Sequence, residues 1–494
     1  MSHRNPPPYR VAPFAVMFAM MFPVMFAGSQ FVVAEEASRP EKLNVLFIVS
    51  DDLNNDLGCY GHPLVHSPHI DRLAQRGVRF ERAYCQNPLC NPSRVSFLTG
   101  LYSDQTKAVT NTIRFREHLP DVVTLPQMFR NNGYYVARVG KLFHYGVPQH
   151  IGTDGYDDPP SWEEVVNPRG IDREVEDRIH SLVPGQFGAT LSWLAIDSRD
   201  EEHTDGVGAT KAIELLEKQH PKKTGRPFFI GVGFYRPHTP FVAPTRHFEL
   251  HPREKIDPLM RDIDDREDIP LAAQFNKPEQ RNLSRTQRQE IIQAYYSSVS
   301  LMDAQVGRLI DALDRLELSK NTVIVFTSDH GFHLGRHGQW QKMTLFEESA
   351  RVPLIVHAPD AKGNGRPADG IVELVDLYPT LAELCGLKPP EDLAGTSLVP
   401  LLEDPTRAGK VAALTRTVSR LKPREGDLRV DGFTIRTPRY RYTEWGDGRY
   451  GVELYDYQKD PTESANLAAK AVHAETVARL KRLLADRKLA TTRR

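Results

Sequence analysis

The run LNVLFIVSDD, Leu43 to Asp52, constrains the fold more than any other stretch of this chain. It is continuously apolar and ends in two carboxylates. Without alternation it cannot be a half-exposed strand. It fits a strand buried on both faces of a mainly parallel sheet. The same grammar recurs downstream. GYYVARVGK ends at Lys141, PFFIGVGFYRPH ends near His238, NTVIVFTSDHG ends at Asp329 and His330, and VPLIVHAP runs from Val352 to Pro359. Between these runs the spacing predicts helices over 204–220, 284–316 and 374–385, and SPHIDRLAQRG reads as a helix opened by Ser67-Pro68 and stopped by Gly77. Strand–helix alternation predicts an α/β fold: a large, mainly parallel sheet flanked by helices on both faces. In such sheets ligands gather beyond the carboxyl ends of the strands. Several of these strands end in charged or imidazole side chains there.

Other parts of the chain read differently. Residues 145–200, rich in Pro, Gly and Asp, and the charged stretch 252–283 read as loops over that sheet edge. After Leu398–Gly409 the texture changes to short β-like runs, GFTIRTPRYRYTEW and VELYDYQ, followed by a basic helix over 472–488. We therefore expect a catalytic α/β domain over 35–405 and a smaller C-terminal α+β piece, an antiparallel sheet plus a helix, over 406–494. Residues 1–34 form a separate element. Arg4 and Arg10 precede an uncharged apolar stretch that ends Val32-x-Ala34, the pattern of a signal peptide cleaved after Ala34. Pro13, Pro23 and the small-residue ending argue against an uncleaved anchor. The expected location is secreted or periplasmic, with no stable membrane association after cleavage. A formal net charge of −1 gives no argument for nucleic acid as a partner. Four cysteines, Cys59, Cys85, Cys90 and Cys385, are too few for a disulfide framework in so long a chain, and sequence assigns no pair among them.

Asp51 and Asp52 are adjacent carboxylates at a strand end, and they need a cation or donors nearby. Alone they would serve as a solvated turn or a helix cap. A third carboxylate at another strand end, Asp329, followed by His330, points instead to a hard divalent cation held largely by oxygen, Ca²⁺ or Mg²⁺. No His-x-x-x-His or cysteine-rich spacing favours zinc. Cys90 begins the segment CNPSRVSFLTG. It reads either as a buried structural thiol or as a thiolate at a helix start near Arg94. A soft thiolate beside a hard cation is chemically awkward, so an oxygen-like group would suit that position better.

CNPSRVSFLTG resembles the sulfatase signature C-x-P-S-R-x-x-x-L-T-G, whose cysteine a maturation enzyme converts to formylglycine. Further segments across nearly the whole mature chain are similar to sulfatases: VSDDLNNDLGCYG, SPHIDRLAQRGVRFERAY, SDHGFHLGRHGQWQK and ELYDYQKDPTESANLA. GKLFH, GFYRPHTPF and the histidine of SDHG resemble the iduronate-2-sulfatase branch of that family. The resemblance implies an alkaline-phosphatase-like fold and a sulfuric ester hydrolase acting on a sulfated carbohydrate, with 2-O-sulfated uronic acid as the substrate type. It implies Asp51, Asp52, Asp329, His330 and the modified Cys90 as holders of the cation. Arg94 and Lys141 would stabilise the aldehyde hydrate and the sulfuryl charge. Lys342 and His238 would bind sulfate and help protonate the leaving oxygen, and His144 would take the proton that releases sulfate. Taken singly, Lys141 and Lys342 would be solvated lysines, and His144 and His238 satisfied structural histidines. His333, Arg336 and His337 divide between site wall and scaffold. Phe332 and Trp340 read as packing.

Two other readings stay open. A phosphonate or phosphodiester hydrolase of the same superfamily shares the fold. A catalytically silent carbohydrate-binding relative would show a broken position in the constellation, and the sequence shows none.

Overall fold

The computed structural model describes residues 42–258, 266–275, 277–422 and 427–492. The expected signal segment 1–34 lies outside them. Eight strands form the central sheet: β1 (Asn44–Asp51), β2 (Val78–Tyr84), β3 (Tyr135–Gly140), β4 (Glu164–Val166), β5 (Phe228–Pro237), β6 (Thr322–Ser328), β7 (Arg351–His357) and β8 (Pro367–Glu373). Their order is β8-β2-β7-β6-β1-β5-β3-β4. β1 lies at its middle, parallel to both β5 and β6.

The sheet explains why β1 is apolar throughout. Leu46 and Ile48 pack on one face with Leu309 and Ile310 of a long helix, α3 (Arg285–Arg315). Val45, Phe47 and Val49 pack on the other face with Val95 and Phe97. Those two belong to α1 (Cys90–Thr99). A second flanking helix, α2 (Thr204–Lys218), and a shorter one, α4 (Leu377–Leu384), lie where the spacing places them. Ser284 caps α3 by accepting from the Gln287 amide, which is why that helix starts sharply.

Seven strands share one direction and β7 opposes its neighbours. Apolar texture cannot reveal this, because a strand buried on both faces reads alike in either direction. The cause is the connection. A parallel return requires the chain to cross back over the sheet. Residues 329–350 instead stay at the edge where β6 ends, holding a short ribbon, His333–Leu334 against Trp340–Gln341, a single helical turn at Arg336–Gly338 and the four-residue helix Glu347–Ala350.

The stretch 145–200 is less irregular than its composition predicts. It supplies edge strand β4, and Ser192–Ile196 pairs with Phe241–Pro244. The C-terminal sheet has four antiparallel strands, β9 (Ala413–Leu421), β10 (Leu428–Arg436), β11 (Tyr440–Trp445) and β12 (Val452–Asp456), with α5 (Ala474–Thr492) after them. The first of these was missed in the sequence, where only the later runs stood out. Among the described residues no helix is long and apolar enough to cross a membrane. All four cysteines are free thiols.

Candidate active site

Because β1, β3, β5 and β6 run parallel, their carboxyl ends share one edge. Asp51 and Asp52, Lys141, His238, and Asp329 with His330 stand at those four ends. α1 delivers Cys90 to the same place from its first turn. That helix is unusual in that all ten of its residues are buried, including Asn91, Ser93, Arg94, Ser96 and Thr99. Polar groups are buried only with partners. Asn91 donates to the carbonyls of Thr110 and Ile113 at 2.9 and 2.8 Å, and Ser93 donates to the Asp329 carbonyl.

Arg94 is fully enclosed. Its Nε donates to Asp329 Oδ2 at 2.8 Å, another nitrogen lies 3.3 Å from Asp51 Oδ1, and the rest of the fork meets the Lys141 and Leu142 carbonyls. Lys141 pairs with the other oxygen of Asp51. Burial would favour a neutral Asp51, but Lys141, His238 and Arg94 hold its carboxyl well below the usual range. Asp52 sits in left-handed backbone at φ 67°. That strain is held by its own amide, which donates to Asp329 Oδ1 at 3.1 Å, and by the Tyr295 hydroxyl, which donates to its carbonyl at 2.8 Å.

Around Cys90 the groups converge. Lys342 Nζ lies 3.2 Å from its Sγ and also pairs with Asp52. His330 Nε2 lies 3.4 Å from Sγ, 3.4 Å from Asp52 Oδ1 and 3.7 Å from Asp329 Oδ2. His330 donates from Nδ1 to the Gly331 carbonyl at 2.9 Å, which leaves Nε2 as the nitrogen turned to the cluster. Burial opposes charge on His330, but Asp329 outweighs it and lifts the imidazole to about 9. Burial alone would raise the Cys90 thiol; Lys141, Lys342 and His330 hold it well below its ordinary value instead. His144 lies beside Cys90, and burial pushes its imidazole down to about 4. His238 Nε2 lies 3.8 Å from Asp52 Oδ2, with Nδ1 donating to the Thr239 carbonyl at 2.6 Å.

All ten residues singled out in the sequence thus meet at one edge. Ligand atoms of Asp51, Cys90, Asp329 and His330 lie within 4.8 Å of one another, and a second set joins Asp52, Cys90 and His238. Opposite ligands of a Ca²⁺ ion, each at about 2.3–2.6 Å, stand roughly 4.6–5.2 Å apart, so this donor set fits a divalent cation of that size.

A cavity of about 310 Å³ opens over the cluster, lined by His144, His238 and Lys342 and roofed by residues of both expected loops. Sequence reasoning missed two groups here. Gln280, buried, donates to Gln341 Oε1 at 3.1 Å. Gln341 and Met343, on either side of Lys342, have φ of 72° and 75°, so Lys342 rides on a strained turn that Gln280 helps to fix. Lys277 also lines the cavity. Neither carried a sequence signal, because both lie in a charged stretch without periodicity. His333 and His337 prove to be scaffold: His333 Nε2 meets Thr344 Oγ1 at 2.7 Å, and the His337 ring stacks on Phe346 with centroids 4.3 Å apart.

Sheet, edge and cluster together define an alkaline-phosphatase-like α/β hydrolase. BT4656 in complex with D-glucosamine-2-N,6-O-disulfate shares this fold at a TM-score of 0.71 and 24% identity, over 92% of this chain and 98% of that one. The phosphonate monoester hydrolase of Agrobacterium radiobacter matches at 0.74 and 25%, over 91% and 96%. Residues 43–387 match the sulfatase family model, and residues 335–490 match the C-terminal model of N-sulphoglucosamine sulphohydrolase. The chain belongs to the sulfatase family and is a sulfuric ester hydrolase. Iduronate 2-sulfatase of Mus musculus is 34% identical to it, over 91% of this chain and 96% of that protein.

Proposed function

We propose that this chain removes sulfate from a sulfated carbohydrate at a 2-O-sulfated uronic acid unit, after export guided by residues 1–34. In this reading Cys90 is matured to formylglycine by a dedicated maturation enzyme, and a divalent cation, Ca²⁺ before Mg²⁺, is bound beside it. Residues 35–405 supply the catalytic body and 406–494 the accessory sheet and helix. The observation that carries the reading is the position of Cys90, whose Sγ shares one donor set with Asp51, Asp329 and His330. Relatives named iduronate 2-sulfatase support the substrate class.

Asp51, Asp52, Asp329, His330 and matured Cys90 would hold the cation, which when bound polarises a sulfate oxygen. Matured Cys90 would supply an aldehyde hydrate, one hydroxyl to accept the sulfuryl group and the other to expel it as sulfate. The chain's own side chains do the rest. Lys342 places positive charge beside Cys90, where the sulfate oxygens come to lie. His238, with Nδ1 tied to the Thr239 carbonyl, presents Nε2 to protonate the leaving sugar oxygen. His144, kept neutral at physiological pH by burial, accepts a proton at the Cys90 position. Every bond of the Arg94 fork goes to protein, so its part, with Lys141, is to hold Asp51 and Asp329 charged and in place.

The test co-expresses the chain with a maturation enzyme, reads the Cys90 peptide by mass spectrometry, and assays a sulfate and a phosphate ester of one phenol. We expect aldehyde at Cys90, preference for the sulfate ester, loss of turnover on dialysis against EGTA and its return with Ca²⁺. A retained thiol in active enzyme, or preference for the phosphate ester, overturns the reading; the second outcome would favour the phosphonate hydrolase alternative.

A further inference from the structure

The cavity over Cys90 holds a second lysine besides the Lys342 of the sulfate site. Its lining includes Lys277, Lys342, His144 and His238, and no aspartate or glutamate. Lys342 is already compensated by Asp52. Lys277 forms no ion pair with a carboxylate among the described residues, and the Glu279 carboxylate stabilises its charge only in part. Its Nζ donates to the Ala189 carbonyl and lies 6.0 Å from the Phe275 ring centroid. A lysine ammonium has three N–H donors, so that single bond leaves others for a ligand.

Position adds to this. Lys277 comes from the 252–283 stretch and Ala189 from the 145–200 stretch, so their bond closes the cavity roof where the two meet. Half-buried, Lys277 is disfavoured as a cation by lost solvation; the Glu279 carboxylate offsets part of that cost and the Lys342 ammonium adds to it. An anion lodged between the two lysines relieves both effects. A roof residue acts on the part of the substrate beyond the reacting sulfur, which is where one sulfated sugar differs from another.

We propose that Lys277 is a specificity-determining residue that binds a second anionic group of the substrate, the carboxylate of the sugar that bears the sulfate. The proposal rests on the uronate reading above. A neutral-sugar sulfate would leave Lys277 facing a hydroxyl, a weaker acceptor than a carboxylate by about the difference between a neutral and a charge-assisted hydrogen bond.

Matured wild type, K277Q and K277R are compared on three substrates. These are a 2-O-sulfated uronate disaccharide, the same disaccharide with its carboxyl reduced to a hydroxymethyl, and 4-nitrophenyl sulfate. We expect K277Q to raise KM for the uronate roughly ten- to a hundredfold, with a far smaller change in kcat. The preference of wild type for the carboxylated over the reduced substrate should collapse in K277Q and survive in K277R. Equal losses on all three substrates would show a structural role through Ala189 and overturn the proposal, as would a K277Q enzyme that keeps its preference for the carboxylate. A K277Q defect greater on a disulfated hexosamine, assayed as a fourth substrate, than on the uronate would overturn the carboxylate in favour of a second sulfate. Wild type that cleaves the aryl sulfate but neither disaccharide would instead sink the uronate reading, and Lys277's role with it.

Discussion

Two of the buried charge clusters among the described residues are built on opposite plans. At the sheet edge Asp51, Asp52 and Asp329 face Lys141, Lys342 and Arg94, and the donor atoms gather round one point. At the join with the C-terminal sheet Glu347 and Glu463 face Arg436 and Arg441, and there every oxygen is taken. Arg441 reaches both glutamates, the Tyr457 hydroxyl lies between them within hydrogen-bond reach of each, Tyr84 donates to Glu347 at 3.0 Å, and Glu463 accepts the Glu347 amide at 2.8 Å. Burial opposes charge on Glu347, yet Arg436 and Arg441 bring its carboxyl down to about 2. Glu463, Glu348 and His337 bring ligand atoms within 4.8 Å of one another. However, Arg441 and Tyr457 already occupy Glu463, and Arg336 occupies Glu348. Arginine forks close a cluster because their planar donors saturate carboxylates. A lysine, as a point charge, neutralises a carboxylate through one oxygen lone pair and leaves the others for a cation. The junction is built as a rivet and the sheet edge as a candidate reaction centre.

The contrast is broken most severely at Cys90. C90A, and D52N beside it, should each cost about three orders of magnitude or more in kcat/KM. C90A should leave Tm nearly unchanged, and D52N, which takes the carboxylate from Lys342 beside an open cavity, should lower it less than a junction variant does. Thermal unfolding that dropped as far as in a junction variant would erase the distinction. At the junction, R441M should cost about 3–5 kcal/mol of stability by leaving two glutamates buried without their fork. The kcat of its folded fraction, measured after denaturant titration, should stay near wild type.

A finer probe is Q280A, which frees the turn bearing Lys342. It should lower kcat about tenfold with little change in Tm. An unaltered kcat would mean that the strained backbone on either side of Lys342 holds itself. The smallest effect is expected at Glu453, buried in the C-terminal sheet and accepting from the Trp445 indole at 2.7 Å. Burial raises its carboxyl to about 7 from an ordinary 4.5. The folded protein thus binds this proton more tightly than the unfolded chain, and the stability it lends falls as pH rises from about 4.5 to about 7. E453Q keeps the acceptor and removes the titration. Its Tm advantage over wild type should grow across that window and level off above it; a flat difference would mean that Glu453 ionises at no cost.

Much of this was legible in the chain itself. Runs such as LNVLFIV announce strands with apolar cover on both sides, and Ser284 with Gln287 announces the start of α3. Asp51, Asp52, Asp329 and His330 are recognisable because charge at the end of an apolar run is costly unless it has a purpose. Gln280 and Lys277 left no such mark, since a glutamine or lysine in a polar loop costs nothing until the loop folds over something.

Local sequence therefore determined which segments become strands and helices, which ends carry chemistry, and that Cys90 opens a helix. Those properties depend on neighbours a few residues away. Tertiary structure alone decided that β7 runs against its neighbours, that Arg94 serves the carboxylates, that one charge cluster is sealed while the other stays available, and that two loops meet above Cys90 through Lys277. These depend on contacts between residues tens to hundreds of positions apart, as with Lys342 and Asp52, which are separated by 290. Periodicity carries no record of such pairings.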